Sequence, residues 1–347
     1  MAKTETVWPA KGVELLINPG QVKVGRTPHE VTYREGKLTL KHYIPQKKDL
    51  ASTPLLMVYA LVNRPYILDL LPGRSAVENF LKRGIDVYLI DWGVPNDGDR
   101  YRTLEDYICG SIHDCVQQVK EATGSEQVSL FGYCQGGTFS AMYAALFPEQ
   151  VKNLILWATP IDFEVEGLLN LWSKKEYFDV DKLVDTCGNI PASILSGTFA
   201  MLRPIYNLVD KYVQFSWGLT KNNTTDEKIE LFMAMEKWIS DGIPQPGEVF
   251  REFVKGCYQE NLLVQNRMKL GKRLIDLKKI RCPVLNVISA GDHIIPPDSS
   301  RPFNKLISSK DQRVLIFPSG GHVGMTVGSQ ARTDLWPKVV DWLVERS

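Results

Sequence analysis

The segment 128–142 constrains this chain more than any other. There an apolar run too short for a helix, Val128 to Phe131, meets Gly132-Tyr133-Cys134-Gln135-Gly136-Gly137 and passes directly into Thr138-Phe139-Ser140-Ala141-Met142. A strand bent this sharply into a helix presents one side chain at the top of a sheet. Glycine is needed two residues before and two after that side chain, because the neighbouring backbones come too close for a Cβ. Gly132 and Gly136 take those places around Cys134. At the head of a helix, backbone N–H groups and the positive end of the dipole stabilise negative charge on sulfur, so the pattern predicts a reactive cysteine.

Strand-length apolar runs recur along the chain with helical stretches between them, as expected of a mainly parallel α/β sheet with helices on both faces. Val31 to Tyr33 and Leu38 to Tyr43 flank Glu35-Gly36 and predict an opening hairpin. Leu55 to Tyr59, Val87 to Asp91, Val128 to Phe131 and Leu154 to Trp157 predict buried strands. After Pro160 the rhythm stops, and aromatic, helix-patterned sequence intervenes until Pro283 to Ser289 resumes it. The expected organisation is an N-terminal segment 1–27, a core built from 28–160 and 282–347, and an inserted cap over 161–281. Within the cap, Thr224 and Glu227 suggest a capping box before a helix whose apolar face is Leu231, Phe232, Met235, Trp238 and Ile239. A last strand, Val314 to Phe317, and a closing amphipathic helix, Leu335 to Arg346, complete the pattern.

In the α/β-hydrolase arrangement the nucleophile's partners follow it in the order acid, then histidine, each in a loop after a later strand. Asp292 follows one strand in Ala290-Gly291-Asp292-His293-Ile294, and His322 follows the last in Gly320-Gly321-His322-Val323-Gly324. The expected division of labour has His322 taking the proton of Cys134 and Asp292 orienting the imidazole. His293 is the competing base and a candidate auxiliary residue, and Asp298 is the rival acid. An oxyanion hole would draw one N–H from Gln135 and another from the loop Ala60-Leu61-Val62-Asn63-Arg64-Pro65, where Val62 is chosen.

Other function classes lose ground on composition. Lys and Arg number 41 against 40 Asp and Glu, so no whole-chain field steers nucleic acid or anionic lipid. Met1 to Gly12 lacks the apolar run of a secretory signal. The longest uncharged stretch, Thr186 to Leu202, contains Asn189, Pro191 and Gly197, and is expected to be buried or interfacial rather than transmembrane. The six cysteines are expected to be thiols. Cys109, His113 and Cys115 share a probable helix without a second ligand pair, so packing is favoured and no metal is expected. No P-loop or dinucleotide fingerprint appears, and no cofactor is expected.

Taken together, these segments resemble the polyhydroxyalkanoate synthase family, whose G-x-C-x-G-G motif is met by Gly132, Cys134, Gly136 and Gly137. Tyr59 to Tyr66, Asp86 to Gly93, Met235 to Ile239 and Gly291 to Pro296 also resemble family segments, in the same order. The resemblance runs from about residue 28 to the end and is nearest to the class III catalytic subunit, with class IV as the near relative. It implies polymerisation of (R)-3-hydroxyacyl-CoA, commonly 3-hydroxybutyryl-CoA, with CoA as part of the substrate and as a product. It also implies a growing polyester chain on Cys134, a second non-catalytic subunit, a homo-oligomer, and a place in the cytoplasm at the surface of storage granules. Arg64 is a candidate CoA contact or a surface arginine. Two alternatives remain at this point: a cysteine hydrolase of the dienelactone type, and a non-catalytic granule-associated protein of the same fold.

Overall fold

The computed structural model describes residues 22–220 and 225–347. Eight strands form one sheet: β1 (His29–Glu35), β2 (Leu38–Tyr43), β3 (Leu55–Val58), β4 (Val87–Asp91), β5 (Val128–Tyr133), β6 (Val151–Trp157), β7 (Val284–Ser289) and β8 (Gln312–Phe317). Their spatial order is β1-β2-β4-β3-β5-β6-β7-β8. The β1-β2 hairpin is antiparallel and pairs antiparallel with β4; every other pairing is parallel. The expected α/β-hydrolase fold with a mainly parallel sheet is therefore the one observed.

Central strands with helices on both faces must be apolar on both sides, and β3, β5 and β7 are buried throughout. Alternate residues feed two cores. Leu56, Val58, Leu130 and Leu156 pack with α2 (Ile112–Thr123) and α3 (Gln135–Leu146). Leu55, Met57, Phe131 and Trp157 pack with α1 (Ala76–Leu81) and the closing helix Trp336–Val344. The helix α3 runs through the middle of the molecule, buried on every side from Gln135 to Ala145, so its sequence shows no polar face.

On β2, one strand in from the β1 edge, His42 Nε2 meets Asp86 Oδ1 at 2.7 Å and the ring stacks on Tyr88 at 4.3 Å. At the far edge, β8 leaves Val314 and Ile316 exposed.

Between β6 and β7 the chain leaves the sheet and forms α4 (Leu168–Ser173), α5 (Val180–Cys187), α6 (Ala192–Ala200), α7 (Lys211–Thr220), α8 (Asp226–Ser240) and α9 (Gly247–Phe253). The two ends of this insertion are part of the core: Ile161 and Phe163 at its start, and Met268, Ile275 and Ile280 at its close. Ile190 and Gln245 exchange backbone hydrogen bonds of 2.8 and 3.0 Å, closing a stem beneath α6, α7 and α8.

Thr224 of the expected capping box lies outside the described residues. Thr225 caps α8 instead, its side chain accepting the Lys228 N–H at 3.4 Å. The uncharged stretch 186–202 forms the end of α5, the stem and α6, with Ile190 buried and Ile194 and Met201 exposed. Among the described residues no helix is long and apolar enough to cross a membrane.

Candidate active site

The strand β3 pairs with β4 on one side and β5 on the other, so consecutive strands depart in opposite directions and a crevice opens at their carboxyl ends. Cys134 stands at that point, between β5 and α3, with φ 56° and ψ −126°. A non-glycine residue held at positive φ costs about 1–3 kcal/mol and persists only where its surroundings dictate it. Here they do. The Cys134 N–H donates to Trp157 O at 2.9 Å, and the Cys134 carbonyl accepts from Gly137 N–H at 2.9 Å. A Cβ at Gly136 would lie 2.4 Å from Val58 O, and one at Gly137 would lie 1.8 Å from Thr159 Oγ1. Both glycines are thus fixed by close approach of α3 to its neighbours.

Asp292 follows β7 and is buried, with every carboxylate interaction directed. Its Oδ1 accepts the N–H groups of Ile294 and Ile295, each at 2.9 Å, and its Oδ2 faces His322 Nδ1 at 2.7 Å. The loops carrying the two residues are joined by Ser289 Oγ, which donates to Gly320 O at 2.7 Å. A Cβ at Gly291 would meet the same carbonyl at 2.6 Å.

His322 is held from its other side by Tyr133, whose hydroxyl donates to the His322 carbonyl at 2.8 Å and whose ring lies 5.2 Å from the imidazole. Burial alone would push this imidazole down; the charge of Asp292, followed by those of Tyr133 and Cys134 and the Asp292 hydrogen bond, outweighs it. The imidazolium is therefore favoured well above the ordinary histidine range. The structure thus joins Asp292 to His322 directly and packs Tyr133, the residue before Cys134, against the His322 ring.

The rivals are placed elsewhere. Asp298 is exposed and paired with Arg301 at 2.8 Å. His293 is half-buried, and its Nδ1 is buried without a partner. Burial and Arg203 hold it below the usual histidine range, with Asp292 opposing. It lines a cavity of about 30 Å³ with Phe163, Leu168, Tyr258 and Ile295, next to the acid loop. A larger groove of about 580 Å³, lined by Arg102, Cys109 and Arg273 among others, contains none of the three. Cys115 is buried in the core, while His113 faces the Tyr143 hydroxyl at 3.1 Å, so these two do not converge on a ligand.

Of the expected oxyanion donors, Gln135 supplies the first N–H of α3, one of the helix's orphan donors. In the facing loop, which carries Val62, the Leu61 N–H is occupied by Gln135 Oε1 at 3.1 Å. The same loop is gripped from above by α8: Trp238 Nε1 donates to Arg64 O at 2.9 Å, and the Tyr66 hydroxyl donates to Asp241 at 2.7 Å.

Comparison with known proteins places this geometry. A model of the α/β hydrolase fold matches residues 53–328, and one described as the poly-beta-hydroxybutyrate polymerase (PhaC) N-terminus matches residues 18–80. The poly(3-hydroxyalkanoate) polymerase subunit PhaC of Allochromatium vinosum is 43% identical over 339 residues, covering 97% of this chain and 94% of that one. The chain belongs to the poly(3-hydroxyalkanoate) polymerase family. The corresponding subunit of Haloferax mediterranei is 44% identical over 328 residues, and the match covers 94% of this polymerase but 66% of that longer chain. Among solved structures, an esterase from Thermogutta terrifontis superposes with a TM-score of 0.53 at 14% identity, covering 92% of this chain and all (100%) of that one; the likeness is one of fold.

Family membership makes the polymerase an acyltransferase-type enzyme with the fold read from its sequence. Two contacts around the site residues were not read there: those of Tyr133 and of the Gln135 side chain. Tyr133 sits immediately before Cys134, where a hydroxyl at the end of an apolar strand was an available signal.

Proposed function

We propose that this polymerase transfers (R)-3-hydroxyacyl groups from CoA to Cys134 and joins them into a polyester, with Asp292 and His322 completing the triad. The observation carrying the proposal is the buried Asp292–His322 bond of 2.7 Å beside a cysteine held at positive φ. The Cys134 sulfur attacks the thioester carbonyl, the carbon–sulfur bond to CoA breaks, and CoA leaves with a proton from the His322 imidazolium. The new bond is again a thioester, so the acyl group remains activated. A 3-hydroxyl then attacks that carbonyl, its proton passes to neutral His322, and the ester forms as the Cys134–acyl bond breaks. Backbone N–H groups of Gln135 and Val62 receive the developing oxyanion in each step.

Residues 161–281 act as a cap. When seated over the site it keeps water from the thioester. Arg64 offers its carbonyl to α8, and its side chain is the candidate CoA contact. Leu168, Leu171, Ile205, Leu208, Val209 and Val213 are exposed on this segment. That apolar surface supports assembly with a second subunit or another copy, and a working position at the surface of cytoplasmic polyester granules.

Purified protein supplied with 3-hydroxybutyryl-CoA, with and without a candidate second subunit, is expected to release CoA together with insoluble polyester. CoA release accompanied mainly by free 3-hydroxy acid would instead favour the hydrolase.

A further inference from the structure

The residue that follows the nucleophile contributes more than its backbone. Gln135 is buried, and its side chain turns back from the head of α3 to accept the Leu61 N–H at 3.1 Å. A backbone N–H can meet only the amide oxygen, so the orientation of the amide is fixed. The contact sits where α3 and the β3 loop approach most closely. The missing Cβ of Gly136 would lie within 2.4 Å of Val58 O and 2.6 Å of the Tyr59 carbonyl carbon, while Tyr59 O is held from the side by Trp92 Nε1 at 2.9 Å. The loop's entry is therefore clamped at Tyr59. Its direction beyond that point depends on the Leu61 peptide, which the Gln135 amide holds, and the next peptide carries the Val62 N–H.

We propose that the Gln135 side chain is a positioning residue: by holding Leu61 N–H it sets the Val62 N–H relative to the Gln135 N–H, so one residue fixes both halves of the oxyanion hole. This rests on the assignment of those two N–H groups to the oxyanion. A sub-ångström drift of a preorganised donor matters because its interaction with the developing charge is realised only in the transition state.

The test separates chemistry at sulfur from chemistry at a carbonyl. Alkylation of Cys134 by iodoacetamide forms no oxyanion; acylation by 3-hydroxybutyryl-CoA does. Gln135→Leu removes the acceptor at similar volume, and Gln135→Met keeps the unbranched length with only a weak acceptor. Either soluble variant is expected to lose roughly 10- to 100-fold in kcat for CoA release, with KM and the alkylation rate within about two-fold of wild type. Unchanged kcat in either variant, or alkylation falling in step with kcat, would overturn the proposal. Cys134→Ala serves as the control for the underlying reading: CoA release surviving in that variant shows that the nucleophile assignment, rather than the positioning role, has failed.

Discussion

At the scale of single residues, Cys134, Asp292 and His322 come from distant parts of the sequence, yet each follows the carboxyl end of a sheet strand, and Asp292 meets His322 there. Cys134 is half-buried and takes a positive-φ backbone, and Asp292 is saturated by two N–H groups and one imidazole. These positions were legible because each lies directly after a strand-length apolar run, and loops after parallel strands share one edge. What the sequence could not display was the side chain that turns back, as Gln135 does, since no periodicity encodes such a contact. The sequence ranked Asp292 ahead of Asp298, six residues further on, by its place directly in the loop after the strand, and in the fold one is buried against His322 while the other is exposed to solvent. If His322 is the acid and base of both half-reactions, His322→Gln lowers the acylation rate by roughly 10²- to 10⁴-fold. Rapid-quench measurement of CoA release checks this, and a rate within two-fold of wild type would remove His322 from the mechanism.

Among the elements, strand order follows from apolar runs, and the opening hairpin from the Glu35-Gly36 turn, where Gly36 has φ 57°. Boundaries were less visible. β6 begins at Val151 rather than Leu154, because Lys152 interrupts the apolar run on an exposed position. The cap of α8 lies at Thr225, since adjacent threonines offer equivalent hydroxyls and only the backbone decides between them. The hairpin's tie to the parallel strands involves a titratable pair. The hydrogen bond to Asp86 raises the His42 imidazole, with burial opposing and the charges of Asp86 and Glu30 assisting. Because the folded value is raised, the pair's stabilisation is complete below the unfolded histidine range, near 6.5, and is lost as pH climbs through the higher folded value. His42→Gln is therefore expected to cost about 1 kcal/mol at pH about 5.5 and less at pH about 8.5. Denaturant melts at the two pH values check this; a gap that widens with pH would contradict it.

Considered as a whole, the molecule joins its sheet to an insertion that shares the core at both ends. The insertion was legible as a break in strand rhythm, but its docking was not. Trp238 reaches Arg64 across 174 residues of sequence, and one chain without its relatives holds no record of such a pair. Trp238 of α8 and Asp241 just beyond it hold the same loop region that the Gln135 side chain holds at Leu61, so the insertion and the head of α3 share a structural element. On the proposed mechanism the insertion keeps water away, because the thioester must survive long enough for a hydroxyl to attack. All of this depends on an acyl group residing on Cys134. The most direct measurement is peptide mass analysis of enzyme acid-quenched during turnover with 3-hydroxybutyryl-CoA. The account predicts the acyl mass on the peptide containing Cys134 and its loss on treatment with hydroxylamine. Acylation at another residue, or CoA release at the wild-type rate by Cys134→Ala, would contradict it.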